Sequence, residues 1–147
     1  MTEDPVITAL VQQVDCYRRL AKLAQVQHEH IQQGRTEELL DVLVLRQGVL
    51  DELAVLDRTV GPVRGRWAQF LGGLDQSGRC SAESLLREMR ELLEQITKAD
   101  LNDTLVLQQR KLNLGRQITA AATARQVNRS YAAASCSRSR STMDMQQ

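Results

Sequence analysis

The chain has 147 residues, 42% of them apolar, with 19 Lys/Arg against 18 Asp/Glu for a formal charge of +1, enough for one domain and too few for two of ordinary size. Aromatics make up only 3%, with one Trp, one Phe and two Tyr, so Leu, Val, Ile and Ala must fill any core, which suits narrow seams between helices. No run approaches the ~20 apolar residues of a membrane span, and Cys16, Cys80 and Cys136 are odd in number, far apart and form no C-x-x-C pair, which argues against a disulfide framework and a zinc site and fits a reducing cytosol.

Met1-Thr2-Glu3-Asp4-Pro5 is acidic and lacks the apolar stretch of a signal peptide, so a cytoplasmic location is expected. A first helix is predicted over 5–33, with Pro5 acceptable in its first turn. Ile7, Leu10, Val14, Tyr17, Ala21, Ala24, His28 and Ile31 alternate spacings of three and four, an a/d heptad seam. Gly34 suits the left-handed position that closes a helix, and Thr36 is the expected cap of the next, with Glu37 and Glu38 in its first turn. That second helix is predicted over 36–60. Its seam is Leu39, Val42, Arg46, Val49, Leu53, Leu56 and Val60, widened by Leu43 and Leu50. Two heptad helices joined by so short a turn make an antiparallel hairpin.

Gly61-Pro62 marks a break or kink. Residues 63–72, with Trp67, Phe70 and Leu71, read as a short helix or the end of the second. Gly72 to Gly78 is the clear loop. Ser81 is then the expected cap of a long helix over 81–124. With Leu101 at zero and a step of 100° per residue, Leu85, Leu86, Met89, Leu92, Leu93, Ile96, Leu107, Leu114, Ile118 and Ala121 fall between roughly 180° and 300°. Leu101, Leu105 and Leu112 fall nearly opposite, as a second apolar stripe. Such a helix runs to about 65 Å, against a radius of gyration near 15 Å for a compact ball of this length. The other helices must lie along it. The fold class expected is all-α: an elongated antiparallel hairpin or bundle of three long helices and a short one, over residues 1–129. Residues 130–147 alternate Ser with Arg and are expected to be a disordered tail.

Charge is unevenly placed. Residues 1–103 hold 12 Lys/Arg against 17 Asp/Glu, and residues 104–147 hold seven against one. A basic end can meet nucleic acid through phosphate contacts, but these arginines are sparse and Tyr131 is the one aromatic there for stacking. A solvated end is the preferred reading, with no nucleic acid partner. Gly73 to Cys80 nearly matches a phosphate-binding G-x-x-x-x-G-K-[ST], yet Arg79 and Cys80 replace the lysine and hydroxyl and no strand precedes it. His28 and His30 point to different sides of one helix, and His28 on the seam reads as a hydrogen-bonded core histidine. Asp100 and Asp103, one turn apart on the main apolar face, could serve acid–base chemistry. No histidine, metal cluster or glycine-rich pocket accompanies them, so they read as a polar interruption answered by an Arg or Tyr of a neighbouring helix, fixing register. No catalytic residue, cofactor or metal is expected. Leu101, Leu105 and Leu112 are the strongest candidate surface. They are either buried under the Trp67/Phe70 helix or used in self-association, or they form a contact for a partner's helix.

Tyr17-x-x-Leu20-x-x-Leu23, followed by Gln27, Ile31 and the Gly34-Arg35 turn, begins a pattern that continues through Leu39-Leu40, Leu43, Arg46-Gln47, Leu50 and Leu53. A long third helix follows, with a polar break near Asp100 and Asp103, and then Asn128-Arg129-Ser130-Tyr131. In this the chain resembles the FlgN-type flagellar secretion chaperones over about residues 7–131. It departs from them in its Arg/Ser-rich end and in Ala120-Ala121-Ala122, where a larger apolar face would suit partner binding better. The resemblance implies a cytoplasmic type III export chaperone. It would bind the C-terminal helices of hook–filament junction (hook-associated) proteins before export and bring them to the export gate. On this reading Leu105, Leu112, Ile118 and Val127 carry substrate contact, and Tyr131 contacts the export gate. The alternative is a structural coiled-coil protein that self-associates through the second stripe, with weak self-association also compatible with the chaperone.

Overall fold

The computed structural model describes residues 4–145, with side chains from Asp4 to Cys136. Helix covers 94% of the described residues, and no strand occurs among them. Helix α1 spans Pro5–Gln33, α2 Thr36–Arg64, α3 Trp67–Gly72 and α4 Gln76–Met145. The chain divides into two compact units, Met1–Thr104 and Leu105–Gln147, and the division falls inside α4.

Helix α1 starts where Asp4 accepts the Val6 amide at 2.8 Å, an N-cap ahead of Pro5 in the first turn. It ends at Gly34, whose φ of 68° is the left-handed closure expected there. Helix α2 begins one residue earlier than a Thr36 cap would require: Arg35 is the capping position, without a side-chain bond. It also runs through Pro62 to Arg64. A proline costs a helix one amide bond and strains the carbonyl four residues back. Here Val60 and Val63 on either side of it pack into the same apolar cluster, and α2 ends two residues later.

In the first unit α1, α2 and the opening of α4 pack on one another. One cluster joins Cys16, Leu20 and Ala21 of α1 to Val49 of α2 and Ile96 of α4. A second joins Val6, Ala9 and Leu10 to Val60, with Trp67, Phe70, Leu85, Leu86 and Met89 against it. Trp67 and Phe70 lie 5.3 Å apart between ring centroids. Eleven residues of α1 are buried, more than one a/d seam supplies, because α1 meets α2 on one side and α4 on the other. Each large apolar side chain buried this way contributes about 1.5–3 kcal/mol. The predicted α2 seam is buried or half-buried throughout, whereas Leu43 and Leu50, expected to widen it, are exposed.

Helix α4 begins five residues before Ser81. Asp75 caps it by accepting the Gly78 amide at 2.6 Å, and the Arg79 side chain donates to the Leu71 carbonyl at 3.2 Å. Asp caps as well as Ser does, so the earlier of the two takes the position and the loop shrinks. The helix also passes Ala124 and the start of the predicted tail, continuing through Ala132-Ala133-Ala134, which are strong helix formers. Thr119, Thr123 and Ser130 each donate to the carbonyl four residues back, so their hydroxyls do not compete for the backbone of another turn. Gln146, Gln147 and the side chains beyond Cys136, also assigned to that tail, lie outside the described residues.

Candidate partner-binding surface

The main face of α4 has two regimes. In the first unit it is covered, and its two carboxylates are answered. Both terminal nitrogens of Arg46 donate to Asp100, each at 2.7 Å, and Arg46 also donates to Gln27 at 2.6 Å. Asp103, 1% exposed, accepts from Gln27 at 3.2 Å and lies 2.7 Å from His28 Nδ1. The Asp100 hydrogen bonds hold the Arg46 guanidinium in its charged form, above its ordinary pKa, with burial opposing. The polar break in the seam is therefore a partly buried network answered by α1 and α2, with Asp103 and Gln27 buried and His28 a half-buried, hydrogen-bonded histidine beside them. A fork of two parallel bonds holds α4 to α2 in one register. Both carboxylates are committed to structural partners, which leaves them poorly placed for acid–base work.

The near phosphate loop is likewise committed. Gly78, Arg79 and Cys80 lie in the first turns of α4, and the Asp75 carboxylate occupies the amide that a phosphate would need. Among the described residues no group of three or more His, Cys, Asp or Glu could hold a metal ion. No helix among them is long and apolar enough to cross a membrane.

Every described side chain from Leu107 to Cys136 is exposed. Of the residues singled out from the sequence, Leu101 belongs to the first unit and stays exposed, while Trp67 and Phe70 pack elsewhere. Leu105, Leu112, Ile118, Val127 and Tyr131 belong to the second unit, with exposures from 45% for Val127 to 72% for Tyr131. They do not share one face. Leu105 and Leu112 are two turns apart on one stripe, and Ile118 lies on the main seam with Leu107 and Leu114. Val127 and Tyr131 flank a shallow depression of about 470 Å³ with Thr123, Gln126, Ser130 and Ala134.

Sequence reasoning missed two things. Lys111, Arg125 and Arg129 fall on the main seam of the second unit, legible from their spacing to Leu107, Leu114 and Ile118. The outer side of the hairpin also exposes Val11, Leu40, Val44, Leu45 and Val55. Their signal was that α2 is apolar nearly all round. A groove of about 600 Å³ there is lined by Val11, Cys16, Arg19, Glu52 and Val55 among others. In it Arg19 pairs with Glu52 and donates to Cys16 Sγ at 3.2 Å. The Arg19 hydrogen bond holds the Glu52 carboxyl below its usual range, and burial pushes the Cys16 thiol up, away from the reactive thiolate.

Set against family models, curated proteins and solved structures, the chain matches none. Fold and surface define an all-α helical bundle with an uncovered apolar seam.

Proposed function

We propose that the protein is a helix-binding chaperone of the flagellar export type. It would hold the C-terminal helical segments of hook–filament junction proteins in the cytoplasm and bring them to the export gate. The observation that carries this reading is the change of cover along α4. One apolar seam is packed by α1 and α2 as far as Asp103 and then continues exposed through Leu107, Leu114 and Ile118. A bundle whose own core is complete can lend such a seam to an amphipathic helix without unfolding. A secretion substrate not yet assembled exposes helices of that kind. The FlgN-type resemblance over residues 7–131 supplies the substrate class and the gate.

Calorimetric titration of the full chain with the C-terminal segments of the host's junction proteins tests this. Micromolar or tighter binding is expected, weakened at least about tenfold in a Leu107→Asp/Leu114→Asp variant, since each aspartate would be buried unpaired. Both positions are exposed, so the variant keeps the helical content of the parent. A folded double variant that binds as the parent does removes the site. Unchanged gate binding by Tyr131→Ala removes the role given to Tyr131. A second reading has its own support: Leu101, Leu105 and Leu112 are all more than half exposed, as a self-associating coiled coil would present them. Sedimentation separates the two, a fixed oligomer without substrate favouring the scaffold.

A further inference from the structure

From Leu85 the α4 seam steps by threes and fours through Met89, Leu92, Ile96, Asp100 and Asp103. The same stepping carries on to Leu107, Lys111, Leu114, Ile118, Ala121, Arg125 and Arg129. In the first unit the charged seam positions are carboxylates, and each is met by a polar or cationic group from a facing helix: Arg46 on Asp100, Gln27 and His28 on Asp103. In the second unit the charged seam positions are all cations. Residues 105–136 hold five Lys/Arg and no Asp or Glu, and no carboxylate side chain occurs between Asp103 and Asp144. The chemistry that satisfies such a seam is the mirror of the first.

We infer that the helix taken up by this surface is acidic. It is an amphipathic partner segment with an apolar stripe for Leu107, Leu114 and Ile118 and with Asp or Glu facing Lys111 at one end and Arg125/Arg129 at the other. The inference rests on the chaperone reading for the site and adds what the site selects. Lys111 and Arg125 are two heptads apart, so the partner's carboxylates stand about 14 residues, or about 21 Å, apart along its helix. Opposite charges set in this way speed encounter and fix register, and they reject segments with lysines there.

Two other occupants fit worse. A second copy brings the same seam, so parallel pairing sets Lys111 on Lys111, and antiparallel pairing about Ile118 sets Lys111 on Arg125. An anionic membrane wants one apolar face and one charged face. Here Lys111, Arg125 and Arg129 interrupt the apolar face itself, while Leu105 and Leu112 lie nearly opposite.

The test uses the full chain and three labelled helical peptides of one design. All carry leucines at the seam positions and differ only at two sites 14 residues apart, filled with Glu, Gln or Lys. Fluorescence anisotropy at about 50 mM salt is expected to show the Glu peptide bound at least roughly tenfold more tightly than the Lys peptide, with the gap shrinking at about 500 mM. The K111E/R125E/R129E variant, altered only at exposed positions, is expected to reverse the order with its helical content unchanged. Equal binding of the Glu and Lys peptides, binding of none, or an unreversed order in the variant overturns the inference. So does binding that occurs only to vesicles of mixed phosphatidylserine and phosphatidylcholine, or dimerisation that masks the seam. Junction-protein segments titrated in parallel keep the two ideas apart. If they bind the charge-reversed variant as they bind the parent, the acidic preference falls while the chaperone reading stands. If they bind neither protein while the Glu peptide follows the expected order, the substrate class falls and the acidic preference stands.

Discussion

Arg46 shows at the scale of one residue how this chain uses charge inside a seam. It sits at a heptad position of α2 where an apolar residue would pack, and its side chain is 15% exposed. Taking such a group out of water costs several kcal/mol unless its hydrogen bonds are met, and Asp100 and Gln27 accept from its two terminal nitrogens. The asymmetry between breaking and replacing the pair is testable. Asp100→Ala leaves the guanidinium with Gln27 alone and should cost about 2–3 kcal/mol in urea denaturation. Arg46→Met combined with Asp100→Leu should cost far less than that or be neutral, because an apolar pair has nothing to desolvate. If the double variant loses as much as Asp100→Ala, the pair stabilises the bundle outright and register is not its main contribution. The aspartates were legible as a polar break needing an answer, since their seam positions follow from spacing. That Arg46 answers Asp100 and not Asp103 was not legible, because spacing sets a face and not the offset between two helices.

The helices themselves show which local signals decide. Gly34 and Gly48 are both glycines of the hairpin, and they predict opposite outcomes. Gly34 holds a φ of 68°, where a Cβ crowds the following carbonyl at about 1–2 kcal/mol. Gly34→Ala should therefore destabilise by about 1 kcal/mol. Gly48 lies inside α2, and a Cβ there meets nothing within 4 Å. Gly48→Ala should stabilise by about 0.5–1 kcal/mol through the entropy of the unfolded chain. Equal effects of one sign in thermal melts would mean that Gly34 is not needed for the turn. The bounds of helix α1 were legible from Pro5 in its first turn and Gly34 at its end, while the Asp4 cap was not read. Both ends of α4 were misplaced for a physical reason too. Asp75 outcompetes Ser81 by standing earlier on the same helical run, and Ala132-Ala133-Ala134 keep the helix favourable where composition alone suggested a tail.

Across the whole molecule, the periodic pattern told which residues share a face and not whether anything covers them. Ile96 and Ile118 are the same side chain on the same seam, yet one is 6% exposed and the other 62%. Helix length makes the difference. Helices α1 and α2 are 29 residues each, and at a common rise of 1.5 Å per residue each matches in length the part of α4 that belongs to the first unit, Gln76 to Thr104. The first unit ends at Thr104, one residue after Asp103, which Gln27 and His28 of α1 hold. Charge follows the same line, with the acids gathered before it and the cations dominating after it.

The ending of the cover at Asp103 also has a consequence in time. Amides of α4 up to that point open to solvent only when packed side chains come apart, at a cost that can approach the global unfolding free energy. Beyond it, the backbone of residues 105–136 is held by its own helical bonds and by intrinsic preference, and such helices are marginal in water. Deuterium should therefore enter 105–136 within seconds while 85–103 stays protected for much longer, although both belong to one continuous helix. When a partner helix occupies the exposed seam, uptake in 105–136 should slow toward that of its covered neighbour. The length of the newly protected stretch would then measure how far along α4 the partner reaches.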